Sequence, residues 1–375
     1  MPRLSTRRDF LVQCAGGSAL LLAGLSATAC ARAETPPPLP HGRKLGVALV
    51  GLGYYSTDLL EPALRETRLC RLAGIVTGSP DKAERWKRLH GIPASHVYHY
   101  DTMERMADNP DIDIVYVVTP HGLHAEHTIR AARAGKHVIC EKPMALTVAD
   151  CDAMILACRE AGVKLQIGYR LHYHAAHQEL LRIGREKALG LPLTMEGANG
   201  FRAWGKGWRM TQKLAGGGPL MDMGIYVVQA ACCIGGGAPV AVTAREDPKT
   251  RPDVFDECEE TLRWTMEFAD GSRGSFMTSF NEGVGRFRAS GPDGYIELDP
   301  AYAYRGVRGR THKGRLDIPN INQQAAQMDA FAANILEGTP VIVPGEMGRR
   351  DMQIITAIYE AARTGRRVEV SASTI

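Results

Sequence analysis

Three side chains are of the right kind to move a proton. They are Lys142, in Cys140-Glu141-Lys142-Pro143, and Asp222 with Tyr226, in Gly216-Gly217-Gly218-Pro219-Leu220-Met221-Asp222-Met223-Gly224-Ile225-Tyr226. Lys142 follows an apolar run of strand length and precedes a proline. That puts it at the carboxyl edge of a sheet, where ligands bind in open α/β folds. Pro219 suits the first helical position, which sets Asp222 in the first turn and Tyr226 one turn later on the same face. A tyrosine, with an ordinary pKa of about 10, is a poor base at neutral pH unless a nearby cation favours its ionised form. A turn lysine, an acid complementing a helix dipole and a core tyrosine would read the same way, so the elements that position them decide.

Leu45 to Val50 is continuously apolar, as a strand covered on both faces is, and runs into Gly51-Leu52-Gly53 and a helical pattern. Glycines here allow a tight turn and let backbone N–H groups approach a pyrophosphate, although Ser56 stands where a third glycine is usual. A second strand, Leu72–Val76, ends in Thr77-Gly78-Ser79-Pro80-Asp81-Lys82. Two hydroxyls, a glycine and a lysine suit a ribose 2′-phosphate, so NADP is favoured over NAD. A helix over Asp101–Asn109, a strand over Ile112–Val118, a helix over His124–Ala134 and a strand over Val138–Cys140 continue the alternation. The expected fold is a parallel, doubly wound α/β sheet of the Rossmann kind over residues 44–165. From Lys164 onward, strand-like segments (Glu260–Phe268, Ser272–Ser279, Gly294–Leu298) are separated by turns, which predicts an α+β domain with an antiparallel sheet over 166–375. A last helix, Arg349–Thr364, should stop at Gly365.

The segments GLGYY, VVTPHGLHAE, AGKHVICEKPMA, LQIGYR, LAGGGPLMDMGIY and AIYEAARTGRRV occur in the order found in the Gfo/Idh/MocA oxidoreductases. The chain resembles that family, within it the glucose–fructose and aldose–aldose oxidoreductases. The resemblance implies a C-terminal domain built on a large open, mainly antiparallel sheet. It implies a tightly bound NADP held by Gly51, Leu52, Gly53, Tyr54 and Tyr55, with Thr77, Gly78, Ser79, Lys82 and Tyr100 further along. Thr119, Pro120, His124, Glu141 and Lys142 would complete that groove. Tyr169 and Arg170 would pass beside the nicotinamide, while Trp208 and Arg209 reach toward the cofactor. The substrate would meet Lys142, Arg170, Asp222, Tyr226 and Tyr304, with Tyr302 also in the sugar pocket. Lys142, held charged by Asp222, would favour the ionised form of Tyr226 and hydrogen-bond the reacting oxygen. The implied reaction oxidises an aldose at C1 to the lactone and passes the hydride to a second sugar, a ketose or an aldose, in a ping-pong cycle. An ordinary NADP-dependent sugar dehydrogenase and a non-catalytic exported sugar- or nucleotide-binding protein are the alternatives.

Ser5-Thr6-Arg7-Arg8-Asp9-Phe10-Leu11, a mild apolar run and Ala31-Arg32-Ala33 read as a twin-arginine signal over 1–33. Cleavage is expected after Ala33, with lipoprotein processing before Cys30 the alternative. Export in the folded state to the periplasm follows, and explains how an NADP enzyme could leave with its cofactor. Without residues 1–33, Lys+Arg falls from 45 to 41 and Asp+Glu from 41 to 40, leaving a charge near +1 and no basic stripe for nucleic acid or a membrane surface. Seven cysteines remain, with no CxxC spacing, so buried free thiols are expected rather than disulfides. Glu34–Arg43 is a Pro-rich arm, too short to reach far, so small sugars and a second copy are the expected partners: a homodimer, with a tetramer less favoured. His121, His124 and His127, and His172, His174 and His177, have helical ligand spacing, but no Cys or carboxylate falls in register and no metal is expected.

Overall fold

The apolar run after Lys44 forms β1 (Leu45–Val50), buried along its whole length. The computed structural model describes residues 42–370, so the signal over 1–33 and all but the end of the arm lie outside the described residues. β2 (Cys70–Val76), β3 (Val97–Tyr98), β4 (Ile114–Val117), β5 (His137–Cys140) and β6 (Leu165–Ile167) complete a six-stranded sheet in the order β3-β2-β1-β4-β5-β6. Every neighbouring pair in it is parallel. The connections run through α1 (Glu61–Glu66), α2 (Pro80–His90), α3 (His124–Arg133) and α4 (Val148–Glu160). This strand order reverses direction between β1 and β4, and the crevice outside their carboxyl ends is where such sheets bind ligands.

Two boundaries differ from expectation. β6 pairs with β5, so the parallel sheet runs to Ile167 rather than stopping at 165. The expected helix over Asp101–Asn109 is a 3₁₀ segment, Tyr100–Asp108, capped by His99.

The second domain contains α5 (Ala175–Glu186), β7 (Thr194–Gly200), α6 (Gln212–Ala215), α7 (Ile225–Ile234), β8 (Ala241–Glu246), β9 (Thr261–Glu267), β10 (Arg273–Ser279), β11 (Val284–Gly291) and β12 (Gly294–Leu298). After these come the short β13 (Gly309–Thr311) and β14 (Gly314–Arg315), then α8 (Gln323–Leu336), α9 (Gly345–Thr364) and β15 (Val368–Glu369). Nine strands form one open sheet, β14-β13-β12-β11-β7-β10-β9-β8-β15. It is antiparallel except for β7 with β10. α7 is buried on every side, as a helix with no polar face must be. The uncovered face carries Glu196, Thr243, Arg245, Arg263, Thr265 and Ser275 around a shallow concavity. Each of the seven cysteines among the described residues is buried and unpaired.

The chain then returns to the first domain. Ala325, Met328, Phe331 and Ala332 of α8 join Leu45, Val47, Leu49, Ile75, Ile114 and Tyr116 in one core. The alternate residues of the same strands, such as Ala48, Val50, Val115 and Val117, face the opposite core with Met154 of α4. Asp329 of α8 accepts hydrogen bonds from the backbone of Arg68 and Leu69. A single division at residue 166 is therefore too simple: one layer of the first domain comes from near the end of the chain. Phe331 is fully buried in that layer. Phe331→Ala should cost about 3–5 kcal/mol in urea unfolding, the usual range for a buried phenylalanine. A loss below about 1 kcal/mol would contradict this packing.

Candidate active site

At the carboxyl edge of the parallel sheet the turn after β1 is bare of side chains. Gly51 has φ +96°, and a Cβ on it would lie 3.1 Å from both Thr119 Cγ2 and the Val118 carbonyl oxygen. A Cβ on Gly53 would meet open space. Ser56, in place of a third glycine, is buried and donates to the Gly51 carbonyl at 2.6 Å, tying the turn to the first helical residues. A turn of this shape fits the phosphates of a dinucleotide, with the backbone N–H groups of the following helix directed at them. Leu52 is buried beneath it and Tyr54 stands 62% exposed beside it.

Further along the groove Lys82 Nζ donates to the Leu52 carbonyl at 3.0 Å, linking the end of β2 to the glycine turn. Thr77 Oγ1 accepts from the Ser79 backbone, and Ser79 Oγ from the Lys82 backbone as the cap of α2. Gly78 is exposed, and Tyr100 packs against it while stacking on His127 at 5.2 Å. Thr77, Gly78, Ser79, Lys82 and Tyr100 therefore cluster at one end of the groove, with Tyr100 away from Lys142. Pro120 opens the turn that carries His121 and His124. One ring nitrogen of His124 faces the Thr119 carbonyl at 2.8 Å and the other the Pro143 carbonyl at 2.9 Å, so this ring joins the two loops that flank the crevice. Burial lowers His124 to about 4.

The crevice widens into a cavity of about 900 Å³ between the two domains, large enough for part of a cofactor and a small substrate. Lys142, Asp222 and Tyr226 meet on its wall. Lys142 Nζ donates to Asp222 Oδ1 at 3.1 Å and to the Asp222 carbonyl at 2.7 Å, and lies 4.8 Å from the centre of the Tyr226 ring. Burial opposes the charge on Lys142, but Tyr226, Asp222 and Glu141 outweigh it and hold the ammonium above its ordinary value. Burial also opposes the Asp222 carboxylate, yet Lys142 and Arg209 keep it well below the usual carboxylate range. Asp222 sits in a π-helical turn, Leu220–Gly224, that Pro219 precedes as the capping residue rather than as the first helical one. The wide turn runs into α7 and keeps Asp222 and Tyr226 facing the same cavity.

Glu141 is fixed beneath Lys142, accepting from Tyr116 Oη at 2.7 Å, and burial raises it above the ordinary range. A Cβ on Gly168 would lie 2.7 Å from Glu141 Oε1, so a larger residue there would have to displace this carboxylate. The Arg170 guanidinium lies between the Tyr226 and Tyr304 rings, at 5.1 and 4.2 Å, and donates to the carbonyls of Tyr302 and Ala303. Tyr55 and Tyr304 approach to 6.2 Å across the cavity. Trp208 packs edge-on to His121, and Arg209 Nε donates to Asp222 Oδ2 at 3.0 Å. Tyr169, packed in the core, is not among the residues that line this cavity, whereas its neighbour Arg170 is. Sequence reasoning missed Asn199 and Phe201 at the end of β7, Met223, and the Gly283–Gly285 turn, all of which line the cavity. No local signal marks them, since they come from the end of β7, the π-helical turn before α7 and the start of β11, which lie far apart in sequence.

The two histidine clusters are engaged in hydrogen bonds of their own: His172 with Gln229, His177 with the Ala301 carbonyl, His121 with the Ala215 carbonyl. The Asp222 pair yields a prediction. A carboxylate held below its unfolded value contributes stability that is complete above that value and is lost as pH falls toward the folded one. Asp222→Asn should cost roughly 3–5 kcal/mol at pH 7, as breaking a buried ion pair does. The gap to wild type should hold to about pH 5 and shrink below about pH 4. Urea unfolding at stepped pH measures it, and a gap that widens on acidification would contradict the pairing.

Residues 45–169 match an oxidoreductase family described as having an NAD-binding Rossmann fold, and residues 177–297 match the GFO/IDH/MocA C-terminal domain. Aldose-aldose oxidoreductase from Caulobacter crescentus, solved with glycerol, is 45% identical with a TM-score of 0.84, over 87% of this chain and 100% of that one. D-glucoside 3-dehydrogenase of Escherichia coli is 30% identical over 69% of this chain and 79% of that protein. D-xylose 1-dehydrogenase [NADP(+)] of Haloarcula marismortui is 26% identical over 84% and 91% respectively. In sequence, in strand order and in both domains, this chain belongs to the Gfo/Idh/MocA oxidoreductase family.

Proposed function

We propose that this protein is an NADP-linked sugar oxidoreductase that oxidises an aldose at C1 to the lactone and returns the hydride to a second sugar, a ketose or an aldose. The observation that carries the reading is the Lys142–Asp222–Tyr226 constellation on the cavity wall at the carboxyl edge of the sheet. A protein that only bound a sugar or nucleotide would have no use for an acid–base set placed there. The nicotinamide supplies the hydride acceptor. Tyr226 takes the hydroxyl proton as the C1–H bond breaks, and Lys142 donates a hydrogen bond to the oxygen that becomes the carbonyl. Arg170, Tyr302 and Tyr304 line the same cavity beside Tyr226.

Retention of the nucleotide is the second part of the reading. Thr77, Ser79 and Lys82 at the far end of the groove suit a 2′-phosphate. With the nucleotide retained, lactone leaves before the acceptor sugar enters the same site, and kinetics are ping-pong. The names of an aldose-aldose oxidoreductase and of an NADP(+)-dependent xylose dehydrogenase among the relatives support the substrate class and cofactor. The dehydrogenase names also favour the alternative of an exchangeable cofactor. A twin-arginine signal would carry the protein folded, with its nucleotide, to the periplasm. A homodimer would pair through the open sheet face.

Lys142→Met and Tyr226→Phe should each keep fold and nucleotide content and lower turnover by about 10² or more. Rates like wild type in either would remove that residue from the chemistry. To stay loaded at micromolar dilution, NADP must bind with a Kd well below about 1 μM, or better than about −8 kcal/mol. Protein purified without added nucleotide, then denatured and assayed, should release NADP, and Lys82→Ala should lose it on gel filtration. Empty wild-type protein that turns over freely once NADP is supplied would favour the exchangeable dehydrogenase.

A further inference from the structure

Asp222 is shared. One oxygen faces Lys142 Nζ at 3.1 Å and the other accepts from Arg209 Nε at 3.0 Å. Arg209 comes from a 3₁₀ turn, Trp208–Met210, between β7 and α6, and lies over the Trp208 ring at 4.4 Å. Lys142 does not depend on Arg209 for its place, because the Asp222 carbonyl also accepts from it at 2.7 Å. What Arg209 changes is the charge. A Lys142–Asp222 pair alone is neutral and projects little positive potential onto the neighbouring phenol. With Arg209 the trio carries one net positive charge, and Coulomb attraction to a developing phenolate survives.

We propose, building on the functional reading above, that Arg209 is a positioning residue for the base. By taking one oxygen of Asp222 it keeps Lys142 effectively cationic toward Tyr226. The other groups around Asp222 do not substitute for it. His121, from the turn after β4, is pushed down to about 3 by burial and is neutral at working pH. Glu141, beneath Lys142, gives its oxygens to Tyr116 and to the Lys142 backbone rather than reaching Asp222. Arg170 faces Tyr226 from the other side, but its acceptors include the carbonyls of Tyr302 and Ala303, not Asp222. Arg209 reaches the carboxylate from a side chain 40% exposed, so its effect is moderated by solvent.

The test compares wild type with Arg209→Met and Arg209→Lys by two measurements. The first is trace acetylation of Lys142 with acetic anhydride across pH, read by peptide mass spectrometry, in protein without sugar. Losing the guanidinium gives Asp222 wholly to Lys142, so the labelling midpoint of R209M should rise by about half to one pH unit. The second is the rate of NADP reduction by an aldose across pH. Its acid-side midpoint should also move up in R209M, and R209K should restore both midpoints. An unmoved labelling midpoint overturns the proposal whatever the sugar assay gives. So does a rate that falls equally at every pH, which would make Arg209 a tether only. A shifted midpoint in protein that oxidises no sugar leaves the proposal standing and removes the functional reading instead.

Discussion

The Lys142–Asp222 ion pair is the constraint on which the site depends. Lys142 follows β5 of the first domain and Asp222 lies in the π-helical turn before α7 of the second, so their contact fixes one domain's edge against the other's helical segment. Both side chains are about 90% buried, and a buried pair is weak evidence for stability, since desolvation offsets much of the Coulomb gain. Its consequence is geometric. Once the pair forms, Tyr226, one turn along, has no choice but to face the same cavity as the glycine turn after β1.

The rest of the structure supports that geometry. α8, late in the chain, returns to cover the first sheet and brings Gln327, which donates to Tyr116 Oη at 2.7 Å. Tyr116 in turn donates to Glu141, so the residue before Lys142 is held from below by two elements far apart in sequence. Gln323, on the same helix, accepts a hydrogen bond from Arg170. One helix thus steadies both cations that face Tyr226, while the wall carrying Tyr302 and Tyr304 supplies the carbonyls that finish the arginine. Placing Lys142, Asp222 and Tyr226 between domains leaves each of them mostly dry, which strengthens their mutual effect.

Much of this could be read in the residues. The apolar run ahead of Gly51, the Glu141-Lys142-Pro143 turn and the glycines before Asp222 each carry local signals of burial, turn or helix start, and the structure sets them at one edge. What could not be read is non-local or conformational. Tyr169 and Arg170 are adjacent letters, yet the chain leaving β6 sends one into the core and the other into the cavity. The π-helical turn at Leu220–Gly224 uses the same residue types as an α-helical start. α8 buries the polar Gln323, Gln324, Gln327 and Asn334 together with its apolar residues, and nothing in it gives the address of the sheet it covers. The contact of Arg209 with Asp222 joins a loop to a helix across a turn, and only folding reveals it.

The central claim is that a hydride leaves the C1 carbon of an aldose in the cavity where Lys142, Asp222 and Tyr226 meet. It is tested most directly by incubating the protein with an aldose deuterated at C1, denaturing it and weighing the released nucleotide. The account predicts reduced NADP carrying the deuterium. Reduced nucleotide without the label would place the oxidation at another carbon. No reduction with any aldose would contradict the account.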